Sequence, residues 1–252
     1  MSDDHILIER PAAHAGVLVI RFNRPDKKNA ITQAMYRRMT AALEAADADS
    51  AVRAIAFLGG PGCFSAGNDM ADFLAFATGA GSERPAAFDF LRALASADKP
   101  LISGVDGLAI GIGTTLHLHC DLTIASDRSV FKTPFVDLGL VPEAGSSLLA
   151  PRIIGHQRAF ALLALGDSFS AKVAREAGLI WKVVAPEAVE TETLALAAKL
   201  ASRPPQALKI TRDMLRGDRD ALLRRMDEEL VHFAERLKSA EARTAFEAFM
   251  RR

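Results

Sequence analysis

Three short apolar segments constrain the fold of this chain more strongly than any other feature of its sequence. They are Arg53-Ala-Ile-Ala-Phe-Leu-Gly, Pro100-Leu-Ile-Ser-Gly-Val and Leu122-Thr-Ile-Ala-Ser. Each segment is too short for a typical helix and is bounded by glycine, proline or polar residues, so each predicts a buried β-strand. Segments with helical periodicity lie between these strands. This alternation of strand and helix indicates an α/β fold.

The character of the predicted elements changes at Ser146. The elements predicted before it, besides the three strands above, are β-rich runs at 6–10 and 16–22, a helix capped by Thr32, and helices near 69–77, 85–97 and 112–119. After it, the chain is predicted to be mostly helical. The helices predicted there cover 146–154, 157–165, 171–177, 187–201, 205–216, 219–236 and 240–251, with one strand at 180–184.

Length and composition fit one large domain with a small appendage. The chain has 252 residues, of which 50% are hydrophobic, so it can bury a substantial core. Its 31 basic and 31 acidic side chains give no net charge and form no long run of one sign. This excludes the electrostatic surface of a dedicated nucleic-acid-binding protein. Any anionic ligand must be held by local groups.

The sequence predicts neither an exported nor a membrane-spanning protein. Its N-terminus, Met1-Ser-Asp-Asp-His, has no basic region followed by an apolar stretch, and histidine and aspartate interrupt the most apolar later segments. We therefore expect a soluble, cytoplasmic protein. The two cysteines, Cys63 and Cys120, lack the spacing of metal ligands, and we expect both to be buried small apolar residues rather than a disulfide.

Two glycine-rich segments each lie between a predicted strand and a predicted helix. They are Phe64-Ser-Ala-Gly-Asn-Asp-Met and Asp106-Gly-Leu-Ala-Ile-Gly-Ile-Gly-Thr-Thr. Backbone N–H groups in the first turn of a helix lack intrahelical partners, so two of them from separate loops would form an oxyanion hole. Glycine-rich turns in α/β proteins also occur for topology alone. Leu116 and Cys63 stand where a dinucleotide fingerprint and a nucleophile elbow require glycine, which excludes both motifs.

The histidines of the central segment do not predict a metal site. His117 and His119 are two residues apart on a predicted helix, so their side chains point in different directions and cannot bind one metal ion. We expect both to be core or interface residues.

Glu143 is the candidate acid/base residue. It lies between Pro142 and the Gly145-Ser-Ser start of a predicted helix, in a segment that is otherwise apolar. One interpretation is that its carboxylate caps that helix. The other is that apolar neighbours exclude water from the carboxyl group and raise its pKa toward the range useful for proton transfer. Asp137, earlier in the same segment, is a weaker candidate.

An apolar face runs along the C-terminal helices. Its members recur at helical spacing and are Leu222, Leu223, Met226, Leu230, Phe233, Phe246, Phe249 and Met250. Such a face must be covered, either by the core of the same chain or by a neighbouring subunit. The sequence leaves both alternatives open.

Taken together, these segments resemble the crotonase (enoyl-CoA hydratase/isomerase) superfamily over nearly the whole chain. The matching motifs are Phe22-Asn-Arg-Pro, Phe64-Ser-Ala-Gly-Asn-Asp, Val105-Asp-Gly-Leu-Ala-Ile-Gly-Ile-Gly and Cys120-Asp-Leu-Thr-Ile-Ala-Ser. The resemblance implies a ClpP-like spiral of ββα units in residues 1–195 and a helical trimerisation region in residues 196–252. It also implies a homotrimer or a dimer of trimers, with the C-terminal helices covering the site for coenzyme A (CoA).

The resemblance also assigns residues to a site for an acyl-CoA thioester. The oxyanion donors would be the backbone N–H groups of Ala66 and Ile112. The stretch that flanks the adenine and phosphates of CoA would be Lys27, Lys28, Asn29 and Ala30. The other residues implied to contact substrate are Ser65, Gly67, Asn68, Asp69, Met70, Gly111, Phe135 and Leu138. CoA is part of the substrate, so neither a separate cofactor nor a metal is expected.

Two departures from the hydratase pattern favour isomerisation. Enoyl-CoA hydratases use two glutamates to add water, and these would fall at Thr115 and Phe135 here. The segments around Thr133 and Glu143 instead resemble Δ3,Δ2-enoyl-CoA isomerases of the peroxisomal type, in which this glutamate shuttles the proton. We therefore expect an enoyl-CoA isomerase of fatty acid β-oxidation, with Glu143 as base and then acid. The open alternatives are another reaction through a CoA enolate, including residual hydratase activity, and a noncatalytic CoA-ester binding protein.

Overall fold

Two β-sheets form the centre of the part of the chain that the computed structural model describes, residues 5–77 and 85–250. The first sheet contains β1 (Ile6–Glu9), β2 (Val17–Phe22), β3 (Ala54–Leu58), β5 (Leu101–Val105), β7 (Leu122–Ser126) and β10 (Lys182–Val184). The second sheet contains β4 (Cys63–Ser65), β6 (Leu108–Ile110), β8 (Val130–Lys132) and β9 (Phe169–Ser170).

The first sheet is parallel except at one edge. Its strand order is β1-β2-β3-β5-β7-β10, with β1 antiparallel to β2. In the centre, Ala56 of β3 lies opposite Val19 of β2 and Ile102 of β5. Every residue of β3 and β5 is buried, as expected for a parallel sheet that is covered on both faces. The predicted α/β class is confirmed.

The second sheet is built from the short strands that follow the long ones. Strand β3 leads into β4, β5 into β6 and β7 into β8, and a helical segment follows each pair. This repeat is the ββα spiral that the resemblance implies. The strands of the second sheet have three residues or fewer, and two of them lie inside the glycine-rich segments, so the sequence predicted turns where they occur.

Eleven α-helices surround the two sheets in the described part of the chain. They are α1 (Gln33–Ala48), α2 (Met70–Ala77), α3 (Ala86–Ser96), α4 (Ile112–Thr115), α5 (Ser146–Ile154), α6 (His156–Leu163), α7 (Ala171–Ala177), α8 (Val189–Ala201), α9 (Pro205–Arg216), α10 (Arg219–Leu237) and α11 (Ala240–Met250). Two predicted helices differ in part from the structure. The helix predicted at 112–119 divides into α4 and a 3-10 turn, Leu116–His119, and the one predicted at 187–201 begins in the 3-10 turn Pro186–Ala188. None of the described helices is long and apolar enough to cross a membrane.

Helix α8 covers one face of the first sheet. It packs on β2, β3, β5 and β7, and Ala197 and Ala201 join a buried cluster with Val19, Ala56 and Ile102. The boundary predicted between residues 195 and 196 falls inside this continuous helix. The division into a core and a trimerisation region stays a prediction.

The core of the same chain covers the apolar face of the C-terminal helices. Helix α10 packs on α3, α5 and α11, and its Met226, Phe233 and Leu237 belong to the main core. Phe246 of α11 is also fully buried. Packing on the parent core, one of the two alternatives left open by the sequence, is present here. Packing on a neighbouring subunit stays a prediction. The side chains of Phe249 and Met250 lie outside the described residues.

The two cysteines are less buried than predicted. Both are free thiols and both are half-buried. Cys63 begins β4 beside the exposed turn at Gly60 and Gly62, and Cys120 ends the 3-10 turn at the rim of a surface cavity. Each lies at the end of an element rather than in its centre, which accounts for the partial exposure.

The two sheets meet where β5 turns into β6. The Asp106 carboxylate accepts a hydrogen bond from the Gly62 N–H at 2.8 Å and pairs with Arg128 at 2.5 Å. Gly107, the next residue, has φ +79°, and a Cβ atom on it would lie 1.8 Å from the Gly62 carbonyl oxygen. Only glycine fits this close approach. The turn therefore fixes the distance between the two glycine-rich segments.

We expect Gly107→Ala to destabilise the protein by about 2–4 kcal/mol, because the new methyl group must displace the Gly62 backbone and strain a left-handed residue. Urea denaturation followed by circular dichroism measures the change. Gly60→Ala is the matched control, since a Cβ atom at Gly60 meets nothing within 4 Å. Equal stability of the two variants would contradict the role given to Gly107.

Candidate active site

Glu143 is buried just before the N-terminus of α5. The residue is 8% exposed, and the Thr115 hydroxyl donates a hydrogen bond to its Oε1 atom at 2.6 Å. Thr115 is itself fully buried at the end of α4. The bond therefore joins the predicted acid/base residue to the second glycine-rich segment.

The N-terminus of α5 is capped by Glu229 of α10. Glu229 Oε2 accepts from the Gly145 N–H at 2.6 Å, and Oε1 accepts from the Ser147 N–H at 2.9 Å and the Ser147 hydroxyl at 2.5 Å. These N–H groups belong to the first turn, where helix donors lack intrahelical partners. The capping role that the sequence left open for Glu143 is thus filled by another carboxylate.

Burial raises the pKa of the Glu143 carboxyl group to about 8. Desolvation is the largest cause, and the negative charge of Glu229 acts in the same direction. The hydrogen bond from Thr115 opposes the shift because it favours the ionised form. A carboxyl group with this pKa can both accept and release a proton near neutral pH.

Thr115 and Phe135 occupy the two positions where the resemblance places hydratase glutamates. The Thr115 hydroxyl is committed to Glu143, and Phe135 is a buried member of the main core. Leu138, also implied to contact substrate, is half-buried against that core. Neither of the two positions supplies a second carboxylate.

The first glycine-rich segment offers a different N–H group from the one predicted. The Ala66 N–H donates to the Lys28 carbonyl at 2.9 Å, so it is already used within the fold. The residues on either side of Asn68 pair with Ile31 as an isolated parallel bridge. Ile31 donates to the Gly67 carbonyl and accepts from the Asp69 N–H, so the N–H of Asn68 itself points away from Ile31. Among the described residues, the Asn68 N–H has no backbone acceptor, so it can donate to a ligand.

In the second glycine-rich segment, the resemblance assigns the oxyanion donor to the N–H of Ile112. The preceding residue, Gly111, has φ +58° and donates its own N–H to the Lys132 carbonyl at 2.8 Å. Helix α4 begins at Ile112, so the Ile112 N–H has no intrahelical acceptor. The role of this group as an oxyanion donor remains a prediction.

The two glycine-rich segments are packed against each other. A Cβ atom on Gly67 would lie 2.8 Å from the Ile110 carbonyl oxygen, and one on Gly113 would lie 2.8 Å from the Ser65 carbonyl oxygen. Strands β4 and β6, which carry the segments, are neighbours in the second sheet. Glycine at both contacts lets the backbones of the two loops approach each other closely.

Tyr36 of α1 holds the first glycine-rich segment through a side-chain hydrogen bond. It is the single tyrosine of the chain, it is fully buried, and its hydroxyl donates to Asn68 Oδ1 at 2.6 Å. Burial raises the pKa of Tyr36 well above its usual value, and the charges of Glu143 and Asp72 add to the shift. The phenol therefore stays protonated and keeps donating to Asn68.

The stretch predicted to flank CoA divides into exposed and structural residues. Lys27 and Lys28 are exposed, and Ala30 is half-buried. Asn29 is buried, with its amide group donating to the carbonyl oxygens of Cys63 and Phe64 and accepting from a backbone N–H. The two lysines can reach an anionic ligand, whereas the Asn29 side chain holds the loop to β4.

Other predicted substrate residues shape the first segment rather than face open space. The Ser65 hydroxyl donates to the Asn29 carbonyl and accepts from the Gly67 N–H. Asp69 pairs with Arg24 at 2.6 Å and caps α2, which begins at Met70. The structure therefore assigns these polar groups to the conformation of the loop.

Asp137, the weaker acid/base candidate, lies at the surface. Its side chain is 54% exposed, and its carboxylate is 3.9 Å from the Lys132 ammonium group. The environment of Asp137 thus lacks the burial that distinguishes Glu143.

His117 and His119 are core residues. His117 Nδ1 lies 2.9 Å from the Ser103 hydroxyl, and His119 Nε2 lies 2.7 Å from the Ala144 carbonyl. Burial lowers their pKa values to about 3 and about 4, so both rings are neutral. Across residues 5–77 and 85–250, no three potential metal ligands cluster together.

Sequence reasoning missed the Asn68 N–H, Tyr36 and Glu229. Glu229 carries a signal that could have identified it, since it lies between Met226 and Phe233 on the apolar stripe of α10, where a charged residue needs a buried partner. Tyr36 and the Asn68 N–H carry no comparable local signal. Their roles depend on contacts between distant segments.

Comparisons with known proteins find similarity along nearly the whole chain. The family model described as "Enoyl-CoA hydratase/isomerase" matches residues 12–252. "Enoyl-CoA delta isomerase 2" of Rattus norvegicus is 34% identical over 86% of this chain and 56% of that protein. "1,2-epoxyphenylacetyl-CoA isomerase" of Escherichia coli is 31% identical over 93% of this chain and 92% of that protein. The chain spans about half the length of the Rattus norvegicus relative.

Solved structures agree with the sequence comparison. The structure of Pseudomonas aeruginosa OdaA superposes with a TM-score of 0.93 at 40% identity, covering 99% of this chain and all of that one. An "enoyl-CoA hydratase/isomerase" from Pseudoalteromonas atlantica gives a TM-score of 0.91 at 34% identity, covering 98% of this chain and 97% of that one. The fold is therefore shared along its whole length.

We expect Glu143→Gln to increase stability at alkaline pH. The wild-type carboxyl has a pKa of about 8 when folded against 4.5 in the reference state. The stability that the protonated, buried carboxyl group contributes is fully present below pH 4.5. It is lost as the pH rises through about 8. From about pH 5 to about pH 9, the variant should gain about 2–4 kcal/mol over wild type.

Urea denaturation at a series of pH values measures this difference. Asp137→Asn, which removes an exposed carboxyl group, is the control and should not reproduce the trend. A difference between Glu143→Gln and wild type that does not change with pH would show that the Glu143 carboxyl is not desolvated in the folded protein.

Proposed function

This chain belongs to the enoyl-CoA hydratase/isomerase family, and from that premise we propose that it is an enoyl-CoA isomerase that shifts a double bond from the 3- to the 2-position of an acyl-CoA thioester. The observation that carries the proposal is the buried Glu143 carboxyl group held by the Thr115 hydroxyl. It supplies one group that can take and return a proton. The positions at which hydratases carry their two glutamates hold threonine and phenylalanine.

The proposed reaction moves one proton and one double bond. Glu143 in its ionised form removes a proton from C2 of the 3-enoyl thioester, and the electron pair of that C–H bond delocalises into the thioester carbonyl. The resulting dienolate oxygen carries the negative charge. Protonated Glu143 then returns the proton to C4, and the C2–C3 double bond forms as the carbonyl is restored. No water is consumed, so one carboxyl group is sufficient.

Two backbone N–H groups stabilise the dienolate oxygen in this mechanism. We assign them to Asn68 and Ile112, with Asn68 replacing Ala66 because the Ala66 N–H is bound to the Lys28 carbonyl. Each well-aimed donor in a site without water is worth about 3–4 kcal/mol to a developing oxyanion. The contact between the two loops through Gly67 and Gly113 supports a shared target.

The proposal extends to the CoA part of the substrate and to the oligomeric state of the protein. Lys27 and Lys28 are exposed on the loop beside the first segment and are suited to the CoA phosphates. CoA enters as part of the substrate rather than as a cofactor. We propose that the protein is a cytoplasmic homotrimer or dimer of trimers that acts in fatty acid β-oxidation.

A second candidate is addition of water to a 2-enoyl-CoA. The observation that favours it is the presence of a "Probable enoyl-CoA hydratase" of Rhizobium meliloti among the relatives, at 36% identity over 80% of this chain. Separate incubations with 3-enoyl-CoA and 2-enoyl-CoA, followed by product analysis, distinguish the two reactions. Formation of the 3-hydroxy product from the 2-enoyl ester would favour the hydratase.

We expect Glu143→Gln to lower kcat for the double-bond shift by about 10²–10⁴-fold, the range for loss of a general acid or base. The conjugated thioester absorbs in the ultraviolet, so its formation is followed directly with a series of 3-enoyl-CoA esters of increasing length. Affinity for a saturated acyl-CoA, measured by titration calorimetry, should change little.

Asp137→Asn is the matched control and should retain wild-type turnover. Full activity of Glu143→Gln would refute the assignment of Glu143. If neither wild type nor Asp137→Asn turns over any 3-enoyl or 2-enoyl ester while both bind acyl-CoA, the protein is a noncatalytic CoA-ester binder instead.

We expect the amide resonances of Asn68 and Ile112 to move downfield when ¹⁵N-labelled protein binds an acetoacetyl thioester of CoA, whose enolate oxygen accepts charge-assisted hydrogen bonds. The amide of Ala66 should not show this shift, because its hydrogen bond to Lys28 is retained. A downfield shift at Ala66 with none at Asn68 would restore the first assignment.

A further inference from the structure

The turn that carries Glu143 into α5 has an unusual backbone. Ala144 and Gly145 are both left-handed, with φ values of 62° and 67°. A left-handed alanine is unfavourable because its Cβ atom lies too close to the following carbonyl oxygen. The direction of the Glu143 side chain depends on this turn, so contacts from outside the segment must hold it.

Helix α10 supplies the largest share of those contacts. Glu229 accepts hydrogen bonds from two N–H groups and one hydroxyl of the turn and of the first turn of α5. The neighbouring Leu222 lies so close that a Cβ atom on Gly145 would be 2.4 Å from its Cδ1 atom. The C-terminal region is therefore seated directly on the backbone that positions the proposed base.

Two further residues hold the same segment from inside the core. His119 is neutral, so its Nε2–H can donate to the Ala144 carbonyl, 2.7 Å away. Thr115 donates to the Glu143 carboxyl itself. Glu229 differs from both because it carries a carboxyl group that binds the backbone N–H groups of Gly145 and Ser147. The residue is 7% exposed.

We propose that Glu229 is a positioning residue for the proposed base Glu143, which it serves by fixing the Ala144–Gly145 turn and by placing a second negative charge beside the carboxyl group. The inference rests on the proposed function only in calling Glu143 the base. It assigns a part in the chemistry to the C-terminal helix α10, which otherwise only covers the core.

Several elements place charged or titratable groups around Glu143. Helix α10 contributes Glu229, with Arg225 beside it, and α1 contributes the protonated phenol of Tyr36. The 3-10 turn contributes the neutral ring of His119. The ion pair of Arg92 and Asp227 lines the same small cavity as Glu143 and Glu229.

The three donors bound to Glu229 favour its ionised form, although burial raises its pKa above the usual value. An ionised Glu229 acts on Glu143 in two ways with the same sign. It repels the Glu143 carboxylate directly. It also occupies the N–H groups at the positive end of α5 that would otherwise attract that carboxylate.

The test combines Glu229→Gln with a titration that does not depend on turnover. The variant keeps the size of the side chain and removes its charge. Carbon-13 NMR of protein labelled at the glutamate carboxyl carbons reports the pKa of Glu143, with Glu143→Gln providing the assignment. The matched control is Glu235→Gln, which removes an exposed charge from the same helix.

We expect the pKa of Glu143 to fall by about one unit in Glu229→Gln and to stay unchanged in Glu235→Gln. The acid limb of the kcat/KM profile with 3-enoyl-CoA should move to lower pH by the same amount, and kcat at its optimum should fall about tenfold as the turn loosens. An unchanged pKa in a folded Glu229→Gln variant would overturn the inference.

The two proposals can fail separately. If the carboxyl titration shifts as expected but wild type does not isomerise any 3-enoyl ester, Glu229 positions Glu143 and only the proposed reaction is wrong. If Glu229→Gln does not fold, Glu229→Asp replaces it, because aspartate keeps the charge but is one methylene too short to reach both Gly145 and Ser147. Faster amide hydrogen exchange at those two residues is then expected, and unchanged exchange would overturn the inference.

Discussion

Burial of the Glu143 carboxyl group is the interaction on which the rest of the site depends. Removing a carboxylate from water is unfavourable unless the group is paired or neutralised, and here its hydrogen-bond partner is a hydroxyl rather than a cation. Segments far apart in sequence hold the group in place: α4 through Thr115, the 3-10 turn through His119, and α10 through Glu229. A buried acid of this kind persists only in a rigid surround, which the paired sheets and their covering helices provide.

The framework could be predicted from the sequence because it depends on local patterns. The uninterrupted apolar run of β3 requires burial on both faces, and the helix after Thr32 has both a cap and an apolar face, so each was placed correctly. Glu143 was visible for a related reason. A charged residue among leucine and valine is either a structural group with a buried partner, such as a helix cap, or a candidate functional group.

The remaining features depend on contacts that no local pattern encodes. The strands of the second sheet are too short to be recognised from the sequence alone. They form because distant segments pair, as where Cys63 of β4 lies opposite Leu108 of β6. The Ala66 N–H is bound to the Lys28 carbonyl oxygen, which leaves the Asn68 N–H as the candidate donor. Glu229 reaches Gly145 across 84 residues of sequence. In each case the result depends on which distant segments come into contact in the folded chain.

In the proposed reaction, the residue that faces Glu143 decides which chemistry a single carboxyl group can perform. If Thr115 were a second carboxylate within hydrogen-bond distance, the two groups would share a proton and titrate as a pair. A hydroxyl at that position donates to Glu143 and orients it, but it does not remove a proton from substrate or water at neutral pH. In the proposed mechanism, Glu143 must then return the proton that it takes. That constraint suits a double-bond shift, in which one proton leaves and returns, and it does not suit the addition of water, which needs a base and an acid at the same time.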